Sequence, residues 1–254
     1  MVNPDLVVFG AGLLAGTMNA LAGAGSFVTL PALIAVGVPP VQANASNTVA
    51  LFPGTAASAW AYRDGLGPIG AVQLRPLLLT TLAGGAVGAL LLLWTPSKTF
   101  EFVIPWLLLI ATLTLGFGRQ LGDWLRRRWH IRPSAVLLVQ WVLGIYGGYF
   151  GGAVGLMMMA VWSLMGDRDF RSLNAPRTLL VTAGNTMAVV IFIAAGAVRW
   201  RETLIMLAAA VIGGYCGALV GRRAPSRVIR AGTLIIAGGI TVAFFARAYL
   251  KGVP

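Results

Sequence analysis

An apolar run from Leu6 to about Gly37, interrupted by glycines near its middle, constrains this chain more than any other feature. Drawn as one straight helix, its roughly 32 residues would reach roughly 48 Å, well past the roughly 30 Å hydrocarbon core of a bilayer. Gly23 and Gly25, followed by Ser26, lie inside the stretch Asn19-Ala-Leu-Ala-Gly-Ala-Gly-Ser26. Glycine weakens a helix, and unwound backbone at membrane depth persists only where it is buried in protein or lines a polar cavity. The run therefore predicts two half-helices meeting at a break. A looser version of the pattern returns at 144–159.

The rest of the chain fits a membrane. Its 254 residues are 58% hydrophobic and 10% charged, and the mean hydropathy is +0.84. A soluble domain does not carry that composition. The formal net charge of +12 does not indicate nucleic acid, because the basic residues sit in short loops between apolar spans and form no basic face. Cys216 is the one cysteine, so an intramolecular disulfide is excluded. Residues 1–8 carry Asp5 and no Lys or Arg, a poor fit to the positive n-region of a secretory signal.

The second half repeats the plan of the first. Gly12-x3-Gly16-x6-Gly23 has the spacing of Gly144-x3-Gly148-x6-Gly155. Ala43-Asn44-Ala45 is matched by Leu173-Asn174-Ala175, and Arg177-Thr178 falls where Asn47-Thr48 falls. Glycine spacing, asparagine position and span order together predict an internal repeat. Residues 1–118 form a first transmembrane repeat, 119–133 a basic cytoplasmic linker containing Arg126-Arg-Arg128, and 134–254 a second repeat.

Charge then bears on topology. If each broken segment crosses fully, eleven basic residues fall on one side and seven on the other. If each dips in and returns, the split is thirteen against five, with Arg177 inside a span. The positive-inside rule prefers the second arrangement. Three full crossings per half then point the halves in opposite directions. The predicted fold is an all-α polytopic membrane protein of two inverted repeats, each with a glycine-broken, re-entrant or kinked helix plus three spanning helices.

All seven acidic residues lie in loops or at span ends, so a carboxylate-based cation site or proton relay is not expected. His130, in the basic loop, reads as an interfacial residue. No HExxH, GxSxG or cysteine–histidine metal spacing is present, so the chain is not expected to be an enzyme. Arg177 is the sharpest residue, a cation near the start of an apolar span with no intramembrane acid to pair with it. An anionic substrate is one partner for it; snorkelling to the headgroups is the other reading. Gly23, Gly25, Gly152 and Gly155 mark breaks where half-helix N-termini would present N–H groups to an anion. Gly12, Gly16, Gly144 and Gly148 read instead as close helix packing. Ser26, Thr48 and Thr178 add hydroxyls. Asn19, Asn44, Asn47, Asn174 and Asn185 are amides in apolar surroundings; of these Asn19 and Asn47 point most to a site, while Asn44 and Asn174 fit caps as well.

Leu21-Ala-Gly-Ala-Gly-Ser-Phe-Val-Thr-Leu-Pro31, Gln42-Ala-Asn-Ala-Ser-Asn-Thr48 and Tyr146-Gly-Gly-Tyr-Phe-Gly-Gly152 give the chain, over nearly its whole length, a resemblance to the TauE/SafE family of membrane proteins. The resemblance implies seven or eight hydrophobic segments, no cofactor, and export of sulfite, sulfoacetate or related organosulfur anions. The expected function is alternating-access export of a small anion across the inner membrane. The expected binding residues are Asn19, Gly23, Gly25, Ser26, Asn44, Asn47, Thr48, Gly152, Gly155, Asn174, Arg177 and Thr178. An anion channel and a non-transporting membrane component are the alternatives. The expected partners are the small anion and the bilayer, without nucleic acid; a homodimer is left open.

Overall fold

The computed structural model describes residues 3–69, 71–126, 133–162, 164, 173–221 and 226–250. Among them the regular structure is helical: α1 (Pro4–Ala22), α2 (Ser26–Ala35), α3 (Pro40–Ala61), α4 (Leu74–Trp94), α5 (Ser97–Arg126), α6 (Pro133–Tyr149), α7 (Val154–Trp162), α8 (Asn174–Ala194), α9 (Trp200–Gly221) and α10 (Ser226–Phe245). Six of these, α1, α4, α5, α8, α9 and α10, are long and apolar enough to cross a membrane. At 22 residues α3 is also about 33 Å long. It is more polar, and Asn44, Ser46 and Asn47 in its first half are buried inside the protein. The chain is a multi-pass, all-α membrane protein. The α5 helix continues to Arg126, so the start of the stretch read as a linker is helical. Residues 127–132, with Arg127, Arg128 and His130, lie outside the described residues, as do Arg168 and Arg171.

Both breaks are present, and their arms are unequal. Asn3 caps α1 by accepting from the Asp5 N–H at 2.9 Å, and Pro4 occupies a first-turn position where no N–H is needed. The helix stops at Gly23, whose φ of 68° is left-handed, a conformation glycine adopts without strain. Its N–H bonds to the Asn19 carbonyl. The 19-residue α1 is followed by an α2 of 10 residues, and the 17-residue α6 by an α7 of 9.

Contacts between helix ends show which way each arm runs. Arg201, at the start of α9, pairs with Asp5 at 2.8 Å. Arg199 bonds to Gln42 at 2.8 Å through its side chain and to Ser46 at 2.9 Å through its N–H. The starts of α1, α3 and α9 therefore share one end of the bundle. Because α2 leads directly into α3, the α1–α2 segment is a hairpin that returns to the end it left. The second segment starts from the other end. Val136 of α6, Trp162 of α7 and Leu173 before α8 form a buried cluster with Ile69 and Val72, which follow the far end of α3. The hairpin tips thus approach each other from opposite ends.

The most extensive helix contacts join the two halves: α1 lies along α9, and α4 along α6. Glycines make both contacts. A Cβ on Gly217 would lie 2.8 Å from Thr17 Cα, and one on Gly84 2.6 Å from the Trp141 carbonyl oxygen. Gly12, Gly16 and Gly148 likewise have no room for a Cβ against the facing backbone, which accords with close packing. Facing these, Gly84-Gly85-x2-Gly88 on α4 recurs as Gly213-Gly214-x2-Gly217 on α9.

Candidate functional site

A cavity of about 120 Å³ lies between the hairpin tips, walled on its other sides by α3 and α8. Thr48, Leu51, Thr55 and Ser58 line it from α3, and Arg177, Thr178, Val181 and Asn185 from α8. Positions 48, 51 and 55 have the spacing of 178, 181 and 185, which is one face of a helix. The register is the one in which Asn44 matches Asn174.

Seven of the expected residues line the cavity: Asn19, Gly23, Ser26, Thr48, Gly155, Arg177 and Thr178. Five do not. Gly25 is buried against α1, where a Cβ would lie 2.8 Å from the Ala15 carbonyl oxygen. Gly152 is closed off by Phe150, whose ring a Cβ would meet at 2.5 Å. The amide of Asn44 donates to the Tyr149 carbonyl at 2.9 Å and so ties α3 to the end of α6. Its Oδ1 is buried with no hydrogen-bond partner. Asn47 accepts from the Thr29 hydroxyl and joins α3 to α2. Asn174 opens α8 just after the capping residue Leu173, and its carbonyl accepts from Thr178 Oγ1 at 3.0 Å.

The cavity also takes in Thr55, Ser58, Phe150, Gly151, Ala153 and Asn185. Asn185 stood out in the sequence as an amide in an apolar span, and its spacing from Thr178 places it on the same face. The second tip turns at Gly151, with φ 80°, rather than at Gly155. Measured from the paired Gly16 and Gly148, this is one turn earlier than Gly23 in the first tip. Ala153 follows with φ 58°, the one non-glycine residue with positive φ among those described. An L-residue held in that conformation costs about 1–2 kcal/mol.

The electrostatics of the cavity are one-sided. Among the described residues Arg177 is its only charged lining residue. Among the described residues no carboxylate lies within ion-pair distance of Arg177. Its aliphatic stem packs on Gly155, where a Cβ would stand 3.2 Å from Arg177 Cγ and Cδ. Ser26 from the first turn of α2, and Val154 and Gly155 from the first turn of α7, also face the cavity. Backbone N–H groups in a first turn have no carbonyl of their own helix to bond, and that end of the helix is electropositive. Two such ends and one guanidinium therefore converge on one small space. Among the described residues no cluster of His, Cys, Asp and Glu is suited to hold a metal ion.

The family described as sulfite exporter TauE/SafE matches residues 8–244. A probable membrane transporter protein of Haemophilus influenzae is 30% identical over 84% of this chain and 83% of its own length. One from a Sinorhizobium species is 29% identical over 85% of this chain and 81% of its own. The Escherichia coli probable membrane transporter protein YfcA is 28% identical over 88% of this chain and 82% of its own. No solved structure matches the chain. With the match running from α1 to α10, the chain belongs to the TauE/SafE family and is a multi-pass membrane transporter.

Proposed function

We propose that this transporter exports a small oxyanion, such as sulfite, sulfoacetate or a related organosulfonate or carboxylate, across the inner membrane by alternating access between two inverted halves. The observation that carries the proposal is Arg177, the single charge in the cavity, with no carboxylate partner among the described residues. A cation inside a membrane-spanning helix costs about 2.5–3.5 kcal/mol or more unless something compensates it. A bound anion compensates it, and the first turns of α2 and α7 add donors that strengthen the same preference. Size points the same way. At about 120 Å³ the cavity is well below the roughly 300–1,000 Å³ of pockets that take drug-sized ligands.

Direction and topology belong to the same proposal. The cavity face of α3 continues to the exposed Ser58, toward the end that carries Arg63 and Arg75. The positive-inside rule makes that end cytoplasmic. Toward the other end, nearer the start of α3, come the buried Thr29–Asn47 bond and the part-buried Asn44–Tyr149 bond. This conformation would load its substrate from the cytoplasm, as an exporter requires.

Thermal unfolding of the purified protein with a panel of anions tests the binding. A ligand at about one hundred times its Kd stabilises the folded state by about 2.7 kcal/mol. Sulfite or a sulfonate should raise the Tm of the wild type and leave Arg177→Gln unmoved. If only cations or neutral solutes act, or if Arg177→Gln responds like the wild type, the anion assignment fails.

A further inference from the structure

The hydroxyl groups that line the cavity from α3 and α8 have already committed their protons. Thr48 donates to the Asn44 carbonyl at 2.9 Å, Thr55 to Phe52 at 2.8 Å, and Ser58 to Gly54 at 2.9 Å. Thr178 donates to the carbonyls of Asn174 at 3.0 Å and Ala175 at 2.9 Å. A hydroxyl whose proton is bonded along its own helix offers the cavity only lone pairs. Donors come from elsewhere: Arg177, the amides of Asn19 and Asn185, Ser26 and the first-turn N–H groups. The cavity thus has a donor cluster at the hairpin tips and Arg177, and hydrogen-bond acceptors along α3 and at the start of α8. Thr48 on α3 and Thr178 on α8 occupy matching positions in the sequence register of Asn44 with Asn174.

A bare oxyanion has nothing to give those lone pairs. It must leave them unpaired beside negative charge, or turn the hydroxyls away from their helices. An anion that also carries an O–H or N–H satisfies both sets at once. We propose that the transported species is an anion bearing at least one hydrogen-bond donor, and that Thr48 and Thr178 are the residues that read that donor. This rests on the anion reading above and narrows its substrate class.

Matched pairs of anions test it: 2-hydroxyethanesulfonate against ethanesulfonate, and glycolate against acetate, titrated into the purified full-length protein with thermal stability as the readout. The hydroxylated member of each pair should bind the wild type about tenfold more tightly, because a site built to pair a hydroxyl rejects the analogue that lacks it. The preference should shrink to about twofold in the Thr48→Val, Thr178→Val double variant and persist in the Thr48→Ser, Thr178→Ser one. Equal binding of both members by the wild type overturns the proposal, with no variant required. So does a preference that survives the double valine change. If neither member of either pair binds, the anion reading itself falls; if both bind equally, only the donor requirement does.

Discussion

Ala153 shows how much of this site is set by backbone conformation. It holds φ 58° in the turn between α6 and α7 and lines the cavity. Glycine at this position would relieve about 1–2 kcal/mol of left-handed strain and lose about 0.5–1 kcal/mol to the added freedom of the unfolded chain. Ala153→Gly should therefore leave the Tm unchanged or slightly raised, whereas Ala153→Val, with its branched Cβ, should lower it. Equal Tm values for the two variants in detergent would show that the left-handed turn is absent in solution. The sequence names the residues of this turn but not the sign of φ. For that reason glycine spacing pointed to Gly155 where the chain turns at Gly151. The sequence left Asn44 and Asn47 open between a site and a structural role for a related reason. Their polarity in an apolar span is plain in the sequence, but it serves bonds to Tyr149 and Thr29 on neighbouring elements, and only the folded partner distinguishes such a bond from a ligand contact.

At the scale of elements, glycines decide which helices can touch. Gly148 meets the backbone of Gly85 so closely that a Cβ has no space, while a Cβ on Gly10 would meet nothing within 4 Å. Gly148→Leu should destabilise the protein by at least about 1–3 kcal/mol, the usual cost of overpacking. Gly10→Ala should be neutral or mildly stabilising. Thermal unfolding of the two variants side by side checks this, and similar melting of both would deny the backbone-to-backbone contact of α4 with α6. The broken helices, their approximate places and the packing role of Gly12, Gly16, Gly144 and Gly148 are legible from apolar run length and glycine spacing. The exchange of partners, α1 with α9 and α4 with α6, is not. The repeated Gly-Gly-x2-Gly on α4 and α9 carries that signal, but a glycine pattern marks a close approach without naming the helix that approaches.

For the whole molecule, the hairpins fix the topology. The α2–α3 turn at Gly37 lies at the end where Asp5 meets Arg201, and Gly65 lies beyond the far end of α3, against Ala175. Single cysteines at Gly37 and Gly65, in a Cys216→Ser background, should react with impermeant thiol reagents from opposite sides of the membrane, Gly65 from the cytoplasm. A single cysteine at Asn3, ahead of α1, should react from the Gly37 side; its reaction from the Gly65 side would mean that α1 and α2 cross as one kinked helix. The same frame sets Arg177, two first turns and the amides of Asn19 and Asn185 around one cavity. Flux through that cavity is measured by reconstituting wild type and Arg177→Gln into liposomes and following exchange of labelled sulfite or a labelled sulfonate. Saturable exchange by the wild type, with loss of about tenfold or more in the variant, is the expected result. Wild-type liposomes no more permeable than empty ones, or a variant as active as the wild type, would contradict anion transport through Arg177.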